Sequence, residues 1–229
     1  MARTARGHNA RVAPEPFALL AAQPATPVDE LALALAAEFG GVDDVSVRAR
    51  LDELAGEVAL QRAPAGEPDA ATAALREVLG VRHGFRGDRE DYDDPRNSML
   101  QLVLERRLGL PISLSVLYVA VARRADITLS GVGLPGHFIV GDLGAVPPVL
   151  LDPFTGGTVL SAQPPAGARA WSAHEIALRM LNNLVGSYGR RGDLGRTIQA
   201  AQLRLALPLE PSAAEPLRAE LRALRARLN

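Results

Sequence analysis

His137 and Asp152 stand in two short segments whose spacing can bring a base and a carboxylate together. Residues 137–142 and 149–152 read as strands, bounded by Pro and Gly signals. If they pair as an antiparallel hairpin whose turn is centred between Gly144 and Ala145, His137 falls directly opposite Asp152, with Cβ atoms roughly 5 Å apart. At that separation a carboxylate accepts the imidazole N–H, fixes the tautomer and leaves the other ring nitrogen a better base. Ile139 would lie opposite Leu150 on the same face, an apolar floor beside the pair. A bulge in the 141–147 loop would shift the register by one and separate the two side chains. The same geometry also serves a purely structural end, as a buried hydrogen-bonded pair held for packing.

A nucleophile to accompany such a base is scarce. The chain has no cysteine, which removes thiolate catalysis, thiolate metal sites, iron–sulfur clusters and disulfides. All 25 basic residues are Arg, so a Schiff-base lysine is excluded as well. Ser113 and Ser115 remain, near the start of an apolar segment. Ser113 could attack if His137 took its proton, Asp152 oriented His137, and backbone N–H groups at the helix opening stabilised the oxyanion. Equally, a serine there satisfies an orphan N–H as a cap. A metal on His137, Asp152 and Asp142 lacks helical ligand spacing, so neither metal nor cofactor is expected.

Helices must position these groups. Apolar periodicity predicts helices over Asp29–Phe39, over Asp43–Gln61 with Asp43 or Asp44 as N-cap, and over Asp69–Leu79 ending at Gly80. A Pro/Gly break at Pro64–Pro68 separates the second from the third. Residues 84–98 read as a polar loop whose acids Asp88, Glu90, Asp91, Asp93 and Asp94 are solvated and paired with Arg89 and Arg96. Ser98 is expected to cap a helix carrying Leu100, Val103 and Leu104. Ile112–Arg124 reads as a buried central helix, with Pro111 in its first turn. Ile127–Gly133, His137–Asp142 and Val149–Asp152 form an antiparallel meander. Residues 161–169 are a linker, and everything from Ser172 is helical, ending in a stripe of Leu217, Leu221, Leu224 and Leu228.

Tyr92-Asp-Asp-Pro-Arg-Asn-Ser98, Leu104-Glu-Arg-Arg-Leu-Gly-Leu-Pro-Ile-Ser113, Gly131-Val-Gly-Leu-Pro-Gly-His-Phe138 and Leu151-Asp-Pro-Phe154 with Gly156-Gly157 together resemble the bacterial SirB-type transglutaminase-like family. The resemblance covers roughly residues 92–160. It implies an α+β, mainly helical fold in which a Cys opens a buried helix while His and Asp sit on adjacent strands of a small antiparallel sheet. His137 and Asp152 match that His and Asp. The Cys position falls on Pro111, so thiol chemistry is absent. Asn97, in Asp-Pro-Arg-Asn-Ser, is expected to make a structural bond to the pocket loop, and Ser115 and Gly136 to line or shape the pocket. Residues 181–207 resemble one tetratricopeptide-type helix pair, a tail that packs on the main domain.

The organisation expected is a flexible lead over 1–26, a transglutaminase-like domain with an N-terminal helical subdomain over 27–165, and a helical tail over 170–229. A chain of 229 residues, formal net charge −1 and 48% apolar content is a globular body without the basic surplus of a nucleic-acid binder. No apolar run reaches membrane-spanning length. The apolar run at Phe17–Ala22 is too short for a secretory signal, which suggests a cytoplasmic protein. Two functions follow. One is a non-catalytic binding or regulatory protein whose His–Asp pocket, or helical tail, takes a peptide or protein. The other is a serine-dependent amide or ester hydrolase, or acyltransferase, using Ser113, His137 and Asp152.

Overall fold

A computed structural model describes residues 15–62, 70–160 and 167–228. The Pro64–Pro68 break, Asp69 and most of the 161–169 linker lie outside them. The fold is mainly helical α+β. Its helices in chain order are α1 (Phe17–Ala21), α2 (Val28–Ala37), α3 (Asp44–Gln61), α4 (Ala70–Leu75), α5 (Leu100–Arg106), α6 (Pro111–Arg124), α7 (Ala173–Arg190), α8 (Leu194–Leu203) and α9 (Pro211–Ala226). Strands β1 (Arg86–Gly87) and β2 (Leu108–Gly109) form a short parallel pair. Strands β3 (Ser130–Leu134), β4 (His137–Asp142), β5 (Val149–Asp152) and β6 (Thr158–Leu160) form an antiparallel sheet in sequential order.

Helix α6 is the axis of the core. Pro111 occupies its first turn, where a missing N–H costs nothing, and every residue from Pro111 to Tyr118 is buried. It packs against α2, α3, α5, α7 and β4, which is why its sequence is apolar on all sides rather than striped. Strand alternation splits the sheet. Phe138, Val140 and Leu151 join the main core, while Val132, Ile139 and Leu150 form a second, smaller cluster.

Asp43 accepts from the Ser46 N–H at 3.2 Å and caps α3. Ser172 and Glu175 form a reciprocal capping box at the start of α7. The Arg169 guanidinium is the main cause that pushes the Glu175 carboxyl down to about 2. Met180, Leu181, Leu184 and Tyr188 of α7 belong to the same core as α2 and α6. The Tyr188 ring stacks on Phe39 at 5.5 Å. In the final stripe Leu221 is buried and Leu228 is exposed.

Several expectations are corrected. Of the flexible lead expected over 1–26, residues 1–14 lie outside the described residues, and from Phe17 the chain is helical, with the fully buried Phe17 ring anchoring α1. Gly80 does not end the third helix: α4 runs on as a π-helix over Arg76–Arg82. Gly80 serves close approach instead of termination, because a Cβ there would stand 1.9 Å from the Gly156 carbonyl oxygen. The turn falls later, at Gly84, with φ +69°. Ser98 is not an N-cap. It ends a 3-10 turn over Pro95–Ser98, Met99 precedes α5, and the Ser98 hydroxyl is buried without a partner. The 84–98 segment is solvated only in part: Glu90 and Asp91 are exposed and Arg96 pairs with Asp94 as expected, but other acids are not. Asp88 and Asp94 are buried, Arg106 of α5 reaches Asp88, and Arg190 and Arg191 of α7 pair with Asp93 and Asp91. The strand expected from Ile127 begins at Ser130, and β6 was not anticipated.

Candidate functional site

The hairpin forms with a different register. Val140 opposes Leu151, Gly141 opposes Leu150 and Asp142 opposes Val149, so His137 is not directly opposite Asp152, nor Ile139 opposite Leu150. Both strands have the expected bounds, and the turn is centred one residue later than expected: Asp142 accepts from the Gly144 and Ala145 N–H groups and starts the loop, at the far end of β4 from His137. The slip is two residues. Side chains alternate with period two, so an even slip keeps both groups on one face and makes them diagonal neighbours. Diagonal neighbours are within reach of a long side chain, and His137 Nε2 stands 3.1 Å from Asp152 Oδ1.

Each partner is held from behind. His137 follows the two-residue turn of Pro135 and Gly136, where Gly136 takes φ +70°, a backbone state that disfavours any side chain. Asp152 Oδ1 also accepts the Phe154 N–H at 2.9 Å, and its carbonyl accepts from Gly157 N–H at 2.8 Å. The tight Asp-Pro-Phe-Thr-Gly-Gly turn therefore aims the carboxylate. Phe154 is the hub beside the pair. The His137 ring meets it edge-on at 6.2 Å and Tyr92 at 6.1 Å, while Arg89 lies 5.8 Å from its centroid. Its ring also fills the space a Cβ of Gly87 would need, at 2.1 Å.

Asn97 fastens the loop that brings Tyr92 to this hub. Its Nδ2 donates to the Asp91 carbonyl at 2.8 Å, and its Oδ1 accepts from Arg106 at 2.8 Å. Arg106 also holds Asp88 Oδ2 at 2.9 Å. Burial alone would raise the Asp88 carboxyl. The Asp91 and Glu90 N–H groups, Asn97 and Arg106 outweigh it and hold the carboxyl below its usual range.

The serines are placed otherwise. Ser113 is fully buried and its hydroxyl has no hydrogen-bond partner, so none joins it to His137. Helical geometry sets it roughly 200° around α6 from Pro111. Ser115 and Tyr118 share the side of Pro111. Ser115 is buried with an unpartnered hydroxyl, as is Tyr118. The Tyr118 hydroxyl abuts Gly157, where an added Cβ would stand 2.8 Å away. Burial above all, with the Asp152 charge adding to it and Arg76 opposing, raises the Tyr118 hydroxyl well above its ordinary pKa. Sequence reasoning passed over Tyr118, although its spacing of three and seven residues from Ser115 and Pro111 places it on their side. Phe154 was quoted within a motif and given no role.

The other two described histidines are engaged elsewhere: His83 contacts Glu57 and Arg50, and His174 Nε2 lies 3.0 Å from the Ala21 carbonyl. Among the described residues no group of three His, Asp or Glu side chains is placed to hold a metal. Among the described residues no helix is long and apolar enough to cross a membrane.

Comparison with known proteins agrees with this architecture. A UPF0162 protein of Xylella fastidiosa is 37% identical over 164 residues, which cover 62% of this chain and 57% of that protein. The UPF0162 protein of Pseudomonas aeruginosa is 34% identical over 178 residues, 74% of this chain and 59% of the relative. F-box only protein 21 of Mus musculus is 32% identical over 173 residues, 68% of this chain but 27% of that protein. The chain thus spans less than two thirds of the length of the curated relatives it matches. No solved structure matches it significantly. The family model of the transglutaminase-like superfamily matches residues 45–182, a stretch running from α3 through the His137–Asp152 pair into α7, and the chain belongs to that superfamily.

Proposed function

We propose that this protein binds a peptide at the His137–Asp152 pair without catalysing acyl transfer. The observation that carries the reading is a paired His137 and Asp152 to which, among the described residues, no serine hydroxyl is hydrogen-bonded. His137 and Asp152 meet at 3.1 Å and the His137 side chain is 32% exposed, while Pro111 stands where the family resemblance puts a thiol and Ser113 is sealed in the core. His137 Nε2 faces Asp152 Oδ1 at ion-pair distance, and Nδ1 has no hydrogen-bond partner among the described residues, so a ligand bringing a peptide N–H or a hydroxyl can pair with the free edge of the imidazole. The aromatic rings of Phe154 and Tyr92 supply the apolar wall that ligand pockets use for affinity.

Fluorophosphonate labelling tests the serine alternative. We expect no labelling of the wild-type chain; labelling abolished by Ser113→Ala would establish a serine hydrolase and overturn the binding reading. His137→Gln is expected to abolish peptide capture with the fold retained by circular dichroism. A partner lost on deletion of residues 170–229 yet kept by His137→Gln would place the interaction on the helical tail instead.

A further inference from the structure

Beside the hub ring of Phe154 lies a concavity of about 750 Å³, between the π-helix, the β1 loop and the Thr155–Thr158 turn. That volume is typical of ligand pockets. Its rim carries Arg76, Arg86 and Arg89. Elsewhere Arg48, Arg96, Arg106, Arg124, Arg191 and Arg204 each sit within ion-pair distance of a carboxylate. The three rim arginines have no carboxylate partner among the described residues. Arg86 donates only to the Gly84 carbonyl at 3.4 Å, and Arg89 lies over Phe154. Two acids share the lining. Asp88 is turned inward and neutralised by Arg106, which leaves Glu90 as the one carboxylate opposing three guanidinium groups.

The walls are fixed rather than collapsible. Gly80 and Gly156 meet backbone to backbone, and Gly87 meets the Phe154 ring so closely that neither glycine admits a Cβ. Phe154 is shared: one edge contacts His137 at 6.2 Å and the Arg89 guanidinium lies 5.8 Å from its centroid. A chain lying across Phe154 would present one residue to His137 and another to the arginines.

We infer that this cleft is an anion subsite that selects acidic peptides, taking the carboxylates of Glu or Asp side chains on Arg76, Arg86 and Arg89 while the neighbouring backbone reaches His137. The inference rests on the peptide-binding reading above and supplies its ligand class. Guanidinium groups suit it because they bind carboxylates through two parallel N–H donors.

The test uses fluorescence polarisation with the full chain and a fluorescein-labelled peptide of alternating Glu and Gly. Arg76→Gln and Arg89→Gln, both on exposed side chains, should each weaken binding about tenfold. Arg218→Gln on α9 should leave it unchanged, and the Gln-for-Glu peptide should not bind. Added salt should weaken the wild-type complex. The inference is overturned if no acidic probe binds, if the arginine variants bind like wild type, or if glutarate or inorganic phosphate alone binds as tightly as the peptide. His137→Gln separates the two claims. Binding lost there but kept in both arginine variants sinks the anion subsite and spares the pocket. Binding lost in the arginine variants but kept in His137→Gln does the reverse.

Discussion

Gly80→Ala and Gly56→Ala make the same chemical change in helical backbone, yet the structure assigns them opposite signs. Alanine normally favours a helix over glycine by about 0.5–1 kcal/mol, through backbone entropy. Gly56, exposed on α3, has nothing within 4 Å of an added Cβ, so that gain should appear in full. At Gly80 the added carbon would stand 1.9 Å from the Gly156 oxygen and 2.6 Å from its carbonyl carbon. An ordinary carbon–oxygen contact is about 3.3 Å, and both obstacles are backbone, with no rotamer to change. The π-helix and the 153–157 turn must part by roughly 1 Å, an overpacking strain of about 1–3 kcal/mol. The strain less the helix gain leaves an expected net loss of about 1 kcal/mol, a fall in Tm of about 2–4 °C for a chain of this size. Urea denaturation of both variants measures the pair. Because the displaced turn carries Asp152 and Phe154, Gly80→Ala should also weaken peptide capture. A Gly80→Ala protein as stable as Gly56→Ala would refute the close approach of the two backbones, and with it the rigidity claimed for the cleft.

Arg106→Leu should cost about 3 kcal/mol at neutral pH, since it strands the buried Asp88 and unties Asn97; urea midpoints check it. The folded protein holds the Asp88 carboxyl below its unfolded pKa, so its contribution is present above that unfolded value and lost as pH falls through the folded one. The gap between Arg106→Leu and wild type should therefore narrow as pH drops below about 4. Tyr118→Phe removes a buried hydroxyl that has no partner and should leave stability unchanged or raise it by up to about 1 kcal/mol; a loss above that in thermal melts would mean the hydroxyl is satisfied. Ser172→Ala breaks the capping box of α7 and should cost about 1 kcal/mol, visible as faster hydrogen exchange in the first turn of α7.

The long elements were legible because their signals are local. Asp43 before an apolar-periodic run marked α3, and Pro111 before an unbroken apolar segment marked α6, where a first-turn proline and burial on every side leave few alternatives. What failed depended on contacts far along the chain. Gly80 looks like a stop signal by its neighbours, and only the Gly156 backbone, brought up by the sheet, explains why the helix continues past it as a π-helix. Ser98 has the right type for an N-cap but lies in a 3-10 turn capped by Asp94. The acids of 88–94 look solvated until Arg106, Arg190 and Arg191 arrive from α5 and α7. Strand β6 is three residues long, and β1 and β2 are two each, too short for any periodicity to announce.

The meeting of His137 and Asp152 was legible for a reason that does not depend on the exact register. The loop between β4 and β5 was misjudged, and the strands pair two residues away from the expected alignment, yet His137 and Asp152 still meet. An even slip conserves the face; an odd one would have carried Asp152 to the side of Leu151 and the main core. What strand spacing fixes is therefore parity, and the turn after Asp152 completes the aim by binding Oδ1 to the Phe154 N–H. The same argument bears on Ser113. Nearness in number to Pro111 suggested that Ser113 faces the pocket, but helical period sends two residues to nearly opposite sides. On a strand a separation of two preserves direction, and on a helix it reverses it. Ser115 and Tyr118 share the side of Pro111 on α6, and their hydroxyls are both buried and unpartnered among the described residues.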